Sequence, residues 1–274
     1  MTSALLWGAA DFGGGLLSRR FRAVAVVAWS QLGGLLALGV VAVVVGAVDD
    51  PTGWLPWAVA AGVAGALGLW SFYKALAIGT MGVVSPITAL GSVVPVAVAL
   101  LAGERPSSIQ MAGIVLALGG AVAASGPELS GSALSGPAGR RSVLLAAGSG
   151  VLFGVVLVAI HGGARYSPLM TLVGMRAVSV AAFAAVGLVL RTAGGIPARS
   201  LPVVAAVGVA DASANLTFGI ASTLGMVSVV AVLAGLYPVA TVLLALVVLG
   251  ERLLPVQKVG VSTALVGVAL LAAG

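Results

Sequence analysis

The charged residues inside long apolar runs are the first candidates for chemistry in this sequence. They are Asp11, Lys74, Arg176 and Asp211. A charge at the centre of a membrane helix costs about 2.5–3.5 kcal/mol on insertion scales, so such residues face inward, form pairs or lose their charge. We therefore expect these side chains to bind ions or substrate, or to pair with one another.

The two acids lie in the middle of their apolar runs. The side chain of Asp11 is too short to reach the lipid headgroups from mid-span, so it exchanges a proton, binds a cationic group of a substrate or pairs with Lys74 or Arg176, unless the helix boundary differs and leaves it near water. Asp211 is equally central, and Asn215 follows it by one helical turn on the same face. Two acids and two bases can also cancel as ion pairs, which would form a polar core without coupling to any ion.

The two bases differ in what they can bind. Arg176 presents a rigid guanidinium fork that suits a substrate carboxylate or phosphate, and a structural salt bridge with Asp211 is the alternative. Lys74 lies near the end of its apolar run, so its long side chain either reaches the headgroups or enters a cavity. The residue types leave both choices open.

Aromatic and proline residues accompany the charged ones. Trp7, Tyr73 and Tyr237 can line a pathway and stack on an organic substrate, although aromatic belts at the membrane surfaces explain many such residues. Pro95 and Pro238 each remove one backbone donor near the middle of an apolar run and free a carbonyl. We expect these two prolines to act as hinges, with simple packing as the alternative.

Several kinds of chemistry are excluded or disfavoured. The sequence has no cysteine, which excludes disulfides, thiol catalysis and metals bound by cysteine. The only histidine, His161, is separated from Ser149 by about 18 Å along one helix, so the two cannot act as base and nucleophile. No phosphate-binding loop of the Walker type occurs. We predict no enzyme activity, no cofactor and no metal.

The composition shows which elements must position these residues. Of 274 residues, 61% are hydrophobic and 7% are charged, and the mean hydropathy is +1.23, so the chain is solvated by lipid. The net charge of +6 is scattered between apolar runs and does not predict a nucleic-acid site. A membrane helix needs about 20 residues, and the apolar runs predict an all-α membrane protein of ten helices. The runs are 3–18, 23–46, 55–79, 82–103, 107–125, 142–162, 168–190, 201–222, 226–249 and 255–273.

Short motifs recur in the same order in the two halves of the chain. Gln31 in the first half occupies the position that Arg176 fills in the second. A linker rich in Gly, Ser and Pro, 126–141, separates the halves 1–125 and 142–274. Because each half has an odd number of helices, the halves must cross the membrane in opposite senses. The matched motifs are Trp7-Gly8 with Phe153-Gly154, Pro95 with Pro238, Gly103-Glu104-Arg105 with Gly250-Glu251-Arg252, Gly113 with Gly260, and Gly120 with Gly267.

These motifs resemble those of the EamA branch of the drug/metabolite transporter superfamily. The shared features are Trp7-Gly8, Ala75-Leu76 after Tyr73, the matched prolines and the duplicated Gly-Glu-Arg, and the likeness covers nearly the whole chain. The resemblance implies a ten-helix exporter or permease of small metabolites that uses a secondary gradient and no bound cofactor. It does not select a substrate.

We therefore predict a multi-pass carrier of the plasma membrane that moves a small organic solute by alternating access. The predicted direction is export against a proton gradient. The expected partners are a small-molecule substrate, the lipid bilayer and protons, and the chain acts as a monomer or homodimer. An uncoupled facilitator is one alternative, and a scaffold or accessory subunit without transport activity is the other.

Overall fold

The computed structural model describes residues 1–18, 20–78, 84, 87–124, 136–190, 195–249 and 254–274. Within these ranges all regular structure is helical, because a helix satisfies its own backbone donors and acceptors where no water is present. Short 3-10 turns precede some helices, including Leu90–Ser92 before α4. The α-helices are α1 (Thr2–Ser18), α2 (Ala23–Val45), α3 (Leu55–Ile78), α4 (Val93–Leu101), α5 (Ser108–Ala124), α6 (Gly136–Ala164), α7 (Pro168–Leu190), α8 (Leu201–Leu224), α9 (Val227–Ala234), α10 (Tyr237–Leu249) and α11 (Pro255–Ala273).

The helices of the described ranges are those of a multi-pass membrane protein. Three of the ten predicted runs contain helices that are shorter than a full membrane span. These helices are α1, with 17 residues, Ile87–Leu101 and Ser108–Ala124. Ten crossings therefore stay a prediction. Seven segments of the described chain are long and apolar enough to cross a membrane: Ala23–Val45, Thr52–Ile78, Gly139–Ala164, Pro168–Gly187, Ala198–Leu224, Val227–Val248 and Pro255–Ala273.

The helix that corresponds to the sixth predicted run begins before the first residue of that run. Helix α6 starts at Gly136, inside the predicted linker 126–141, and continues through Arg140 and Arg141. Arginine is a good helix former, so the charged residues extend the helix even though they interrupt the apolar pattern. Residues 125–135 lie outside the described ranges.

Each of the two matched prolines lies inside a longer helical segment and just after a local irregularity: Pro95 in Ile87–Leu101 after the 3-10 turn, and Pro238 in Val227–Val248. Pro238 follows Tyr237 at the start of α10, which is separated from α9 by Gly235 and Leu236, and Pro95 lies in the first turn of α4. Proline clashes with a preceding helical turn, but the first turn needs no internal backbone donor. The ninth predicted run is therefore one membrane-length segment, Val227–Val248, that is interrupted between α9 and α10. Hinge motion at the prolines remains a prediction.

Helices α5 and α11 pack backbone to backbone through small residues. A side-chain carbon at Gly120 would collide with the backbone of Ala264, and one at Gly267 would collide with that of Ala117. Gly113 lies against the carbonyl of Gly267. These contacts are reciprocal under the repeat, since Gly120 aligns with Gly267 and Ala117 aligns with Ala264. Close approach through glycine and alanine is a common packing mode of helices in lipid.

The most extensive helix contacts join the two halves of the chain. Helix α3 packs on α6 and α7, α8 packs on α1 and α2, and α5 packs on α11. Helix α2 also contacts α7. The inward faces of α1, α2, α7 and α8 consequently meet between the halves, and half of the predicted site residues lie on these helices: Trp7, Asp11, Arg176, Asp211 and Asn215.

Candidate functional site

Polar side chains from α2, α7 and α8 form a hydrogen-bonded cluster between the halves. Arg176 on α7 donates from Nη2 to Oδ2 of Asp211 on α8 at 2.5 Å, and from Nη1 to Oε1 of Gln31 on α2. Arg176 is 2% exposed, whereas 32% of the Asp211 side chain is exposed. The guanidinium therefore joins three helices, and one carboxylate balances its charge.

Asn215 supports Asp211 from the next turn of α8. Its Nδ2 donates to the backbone oxygen of Asp211 at 2.7 Å and to Oδ1 of the same residue at 3.4 Å. Asn215 is buried, and a buried amide is normally hydrogen-bonded. The amide therefore holds one oxygen of the carboxylate while Arg176 holds the other.

Gln31 and Arg176 occupy matching positions of the two halves and bind each other directly. Two arginines at such close range would repel each other. The glutamine avoids this repulsion because its side-chain carbonyl accepts a hydrogen bond from the arginine. The difference between the halves that the sequence shows at this position thus has a structural reason.

Asp11 lies on the inward face of α1. One turn earlier on that face is Trp7, whose ring contacts α8 and α10. Leu5 and Ala9 lie on the opposite, outer face and are exposed. Asp11 is exposed as well, although it faces inward, and it lies within electrostatic range of Asp211. An exposed carboxylate on an inward face indicates an open space between the halves.

Aromatic rings meet at Trp7, one turn before Asp11 on the same face of α1. The centroid of the Trp7 ring is 6.1 Å from that of Phe218 and 6.4 Å from that of Tyr237, the latter in an edge-on arrangement. The face of such a ring attracts a cation. Sequence reasoning selected Trp7 and Tyr237 but missed Phe218, because one more apolar residue in an apolar helix carries no distinguishing signal.

Lys74 does not join this cluster. It is exposed, it continues an exposed stripe of α3 that includes Leu67 and Trp70, and its Nζ lies 5.7 Å from the centre of the Trp70 ring. Residues three or four positions apart share a helix face, so Lys74 lies on the outer face of α3. This position favours contact with headgroups over a role in a cavity. The side chain of Tyr73 lies outside the described part of the chain.

The Gly-Glu-Arg motif places an acid at the start of α9. Oε1 of Glu104 accepts from the backbone nitrogen of Val227 at 2.6 Å, and Oε2 accepts from the nitrogen and hydroxyl of Ser228 at 3.0 and 2.6 Å. The first turn of a helix has unpaired donors, and its dipole favours a carboxylate there. Glu104 therefore ties the end of α4 to the start of α9, a role that sequence reasoning did not find. The second copy of the motif, 250–252, lies outside the described ranges.

A cavity of about 100 Å³ lies beside this cap, between α4, α6 and α9. Pro95, Glu104 and His161 line it together with aliphatic side chains. Nδ1 of His161 lies 3.2 Å from the hydroxyl oxygen of Ser222 on α8. Among the residues that the structure describes, no group of three or more His, Asp or Glu side chains is arranged to hold a metal ion.

Comparisons with known proteins bear on this architecture. The sequence profile of the EamA-like transporter family matches residues 1–126 and 140–273. The chain is similar to a crystal structure described only as that of a protein, with 20% sequence identity and a TM-score of 0.82. The match covers 99% of this chain and 95% of the other. At that identity the likeness concerns the fold alone. No curated protein matches the chain in sequence.

Proposed function

The chain belongs to the EamA-like transporter family, and on this premise we propose that it is a secondary transporter that exports a small organic solute across the plasma membrane by alternating access. The family match confirms the resemblance that the motifs predicted. The observation that carries the proposal is the exposed, inward-facing Asp11 beside the bridged pair of Arg176 and Asp211.

Matching contacts in the two halves support alternating access. Gly8 lies against Ala240 and the carbonyl of Tyr237. Its counterpart Gly154 lies against Val94 and the carbonyl of Gly91. Together with the reciprocal contacts of α5 and α11, this supports an inverted repeat of two five-helix halves. Two such halves can rock about a shared central site, which then opens to one side of the membrane at a time.

The charges of the cluster support coupling to protons. Asp211 is paired with Arg176, and Gln31 occupies a further donor of the same guanidinium. Among the described residues, Asp11 has no such ion pair, and it is exposed. We assign proton exchange to Asp11, because a carboxylate that is costly to keep ionised within a membrane gains most from binding a proton.

Flux in reconstituted vesicles tests this function. Proteoliposomes loaded with a panel of amines, amino acids, carboxylates and sugars are given a pH gradient, and efflux is followed by mass spectrometry. We expect efflux of a subset of these solutes, acceleration by the gradient and loss of the acceleration in Asp11→Asn. The matched control is Asp49→Asn, the same substitution at an exposed residue of the connection after α2.

The outcomes separate the proposal from its alternatives. Efflux that is the same with and without the gradient would identify an uncoupled facilitator. Absence of efflux for the whole panel, in a preparation that is folded and inserted, would contradict transport and favour a scaffold or accessory subunit.

A further inference from the structure

We infer that this structure is closed at one end of the pathway and that Glu104 is the latch that holds this end closed. The latch consists of the Glu104 carboxylate and the two residues that it caps, Val227 and Ser228. Opening of this end requires that α4 and α9 move apart and that the latch breaks. The inference rests on the proposed function, because it names a contact that alternating access has to break.

The segments of α4 and α9 are counterparts under the repeat, and they meet at the axis that relates the two halves. With the offset that aligns Pro95 with Pro238, Ser92 aligns with Gly235. These two residues touch, since a side-chain carbon at Gly235 would collide with the side chain of Ser92. A contact between a residue and its own counterpart lies on a two-fold axis. From this axis α4 continues along α9 towards the latch at Glu104.

Helix α1 leads away from the latch. It runs antiparallel to α8, because the hydroxyl of Ser3 donates to the carbonyl of Ala214 at 3.0 Å whereas Gly13 lies against Val207. The C-terminal end of α8 leads directly into α9 and the latch. The chain therefore moves away from the latch as it passes from Ser3 to Gly13.

Asp11 lies on the opposite side of the axis from the latch. Gly8 of α1 lies against the carbonyl of Tyr237 and the backbone nitrogen of Thr241. Both residues follow Gly235 in the chain, so they lie beyond the axis as seen from the latch. Asp11 is about 4.5 Å further along α1 in the same direction. The exposed carboxylate and the latch thus belong to opposite ends of the pathway, one open and one closed.

A cavity lies directly behind the latch. It has a volume of about 100 Å³, and its lining follows α4 from Pro95 to Glu104, which is the stretch between the axis and the latch. His161 and Ala99 also line it, and Ala99 is 4% exposed. We assign this cavity to the closed end of the pathway, because it already separates parts of α4 and α9 on the inner side of the latch.

The latch can break and form again because its contacts are polar. Oε1 of Glu104 accepts from Val227 at 2.6 Å, and Oε2 accepts from two donors of Ser228 at 3.0 and 2.6 Å. Charge-assisted bonds of this kind stabilise the closed end. Glu104 is half-buried and the next residue, Arg105, is exposed, so water can replace the three donors when the carboxylate is released.

The rate of modification of a single thiol in the cavity tests the latch. The chain has no cysteine, and Ala99→Cys places a thiol where the cavity has room for the sulfur. A charged, membrane-impermeant thiosulfonate is added on both sides of proteoliposomes, and the thiol reacts only where water reaches it. We expect slow modification with Glu104 in place and a rate about tenfold higher with Glu104→Gln, which loses charge-assisted hydrogen bonds. Ser228→Ala removes one of the three donors and should raise the rate by about threefold.

Two controls separate release of the latch from general loosening of the protein. Ser149→Cys places a thiol of similar shape at a residue that is fully buried between α6 and α3. It should stay unmodified with Glu104 and with Glu104→Gln. Asp49→Asn should leave the rate at Ala99→Cys unchanged. If Glu104→Gln does not fold, Ser228→Ala carries the comparison, because it keeps the charge and both amide contacts.

The inference is overturned by rapid modification of Ala99→Cys with the latch intact, by equal rates with and without the latch substitutions, or by an equal rise at Ser149→Cys. The measurement needs no solute, so it is independent of flux. A faster rate in the latch variants without flux of any tested solute contradicts the proposed function alone. Flux in vesicles with an unchanged rate at Ala99→Cys contradicts the latch alone.

Discussion

At the scale of single residues, the central cluster depends on Arg176. Its guanidinium contacts α2 through Gln31 and α8 through Asp211, and little of it is exposed. A buried charge that loses its partner is strongly destabilising, whereas removal of both charges together leaves no unpaired ion. This difference provides a test of whether the pair acts as a unit.

Arg176→Gln and Asp211→Asn should each lower the free energy of unfolding by about 1–3 kcal/mol, below the range for fully buried pairs because part of Asp211 is exposed. In the double variant the loss should be smaller than the sum of the single losses, because neither charge is left alone. Denaturant unfolding in detergent micelles, followed by tryptophan fluorescence, measures these values. Additive losses would contradict the direct pairing of the two side chains.

At the scale of elements, the contact between α5 and α11 depends on which face of α5 each glycine occupies. Gly120 lies against the backbone of α11, whereas no described atom lies within 4 Å of the position that a side chain at its neighbour Gly119 would take. Two adjacent glycines of one helix are therefore a matched pair for substitution.

Gly120→Leu should lower the free energy of unfolding by about 1–3 kcal/mol or prevent folding, because the new side chain has to displace the backbone of α11. Gly119→Leu should have little effect, since the side chain enters lipid and leucine favours the helix. The thermal midpoint of the purified protein, compared with the unaltered chain, measures both effects. A larger loss in Gly119→Leu than in Gly120→Leu would show that the helix faces are assigned wrongly.

The cap of α9 by Glu104 makes a second prediction for an element. Glu104→Gln removes the charge that the amides of Val227 and Ser228 bind, and it should speed hydrogen exchange in the first turn of α9 by about tenfold. The rate of amide hydrogen exchange is measured by mass spectrometry on peptides that contain this turn. Asp49→Asn serves as the control for loss of an acid elsewhere. Unchanged exchange in Glu104→Gln would contradict the cap.

At the scale of the whole molecule, the sequence predicted helix positions better than contacts. Apolar runs indicate helices because lipid requires internally paired backbone. The form of the interruption before Pro238 was not predicted, since a single proline is compatible with either a bent helix or two short helices. The cap by Glu104 was missed because it joins residues far apart in the chain. The outer position of Lys74 depends on which face of α3 points towards the protein. Apolar residues surround this helix on all sides, so its sequence does not mark an inward face.

The proposed function requires Asp11 to face an open, water-accessible space between the two halves and the outer face of α1 to contact lipid. Because the chain has no cysteine, Asp11→Cys and Ala9→Cys introduce single thiols without background. A thiol reacts as its thiolate, which needs water. Reaction with a charged, membrane-impermeant thiosulfonate is therefore measured in proteoliposomes with the reagent on both sides. We expect modification of Asp11→Cys and protection of Ala9→Cys. Protection at position 11, or faster modification at position 9, would contradict it.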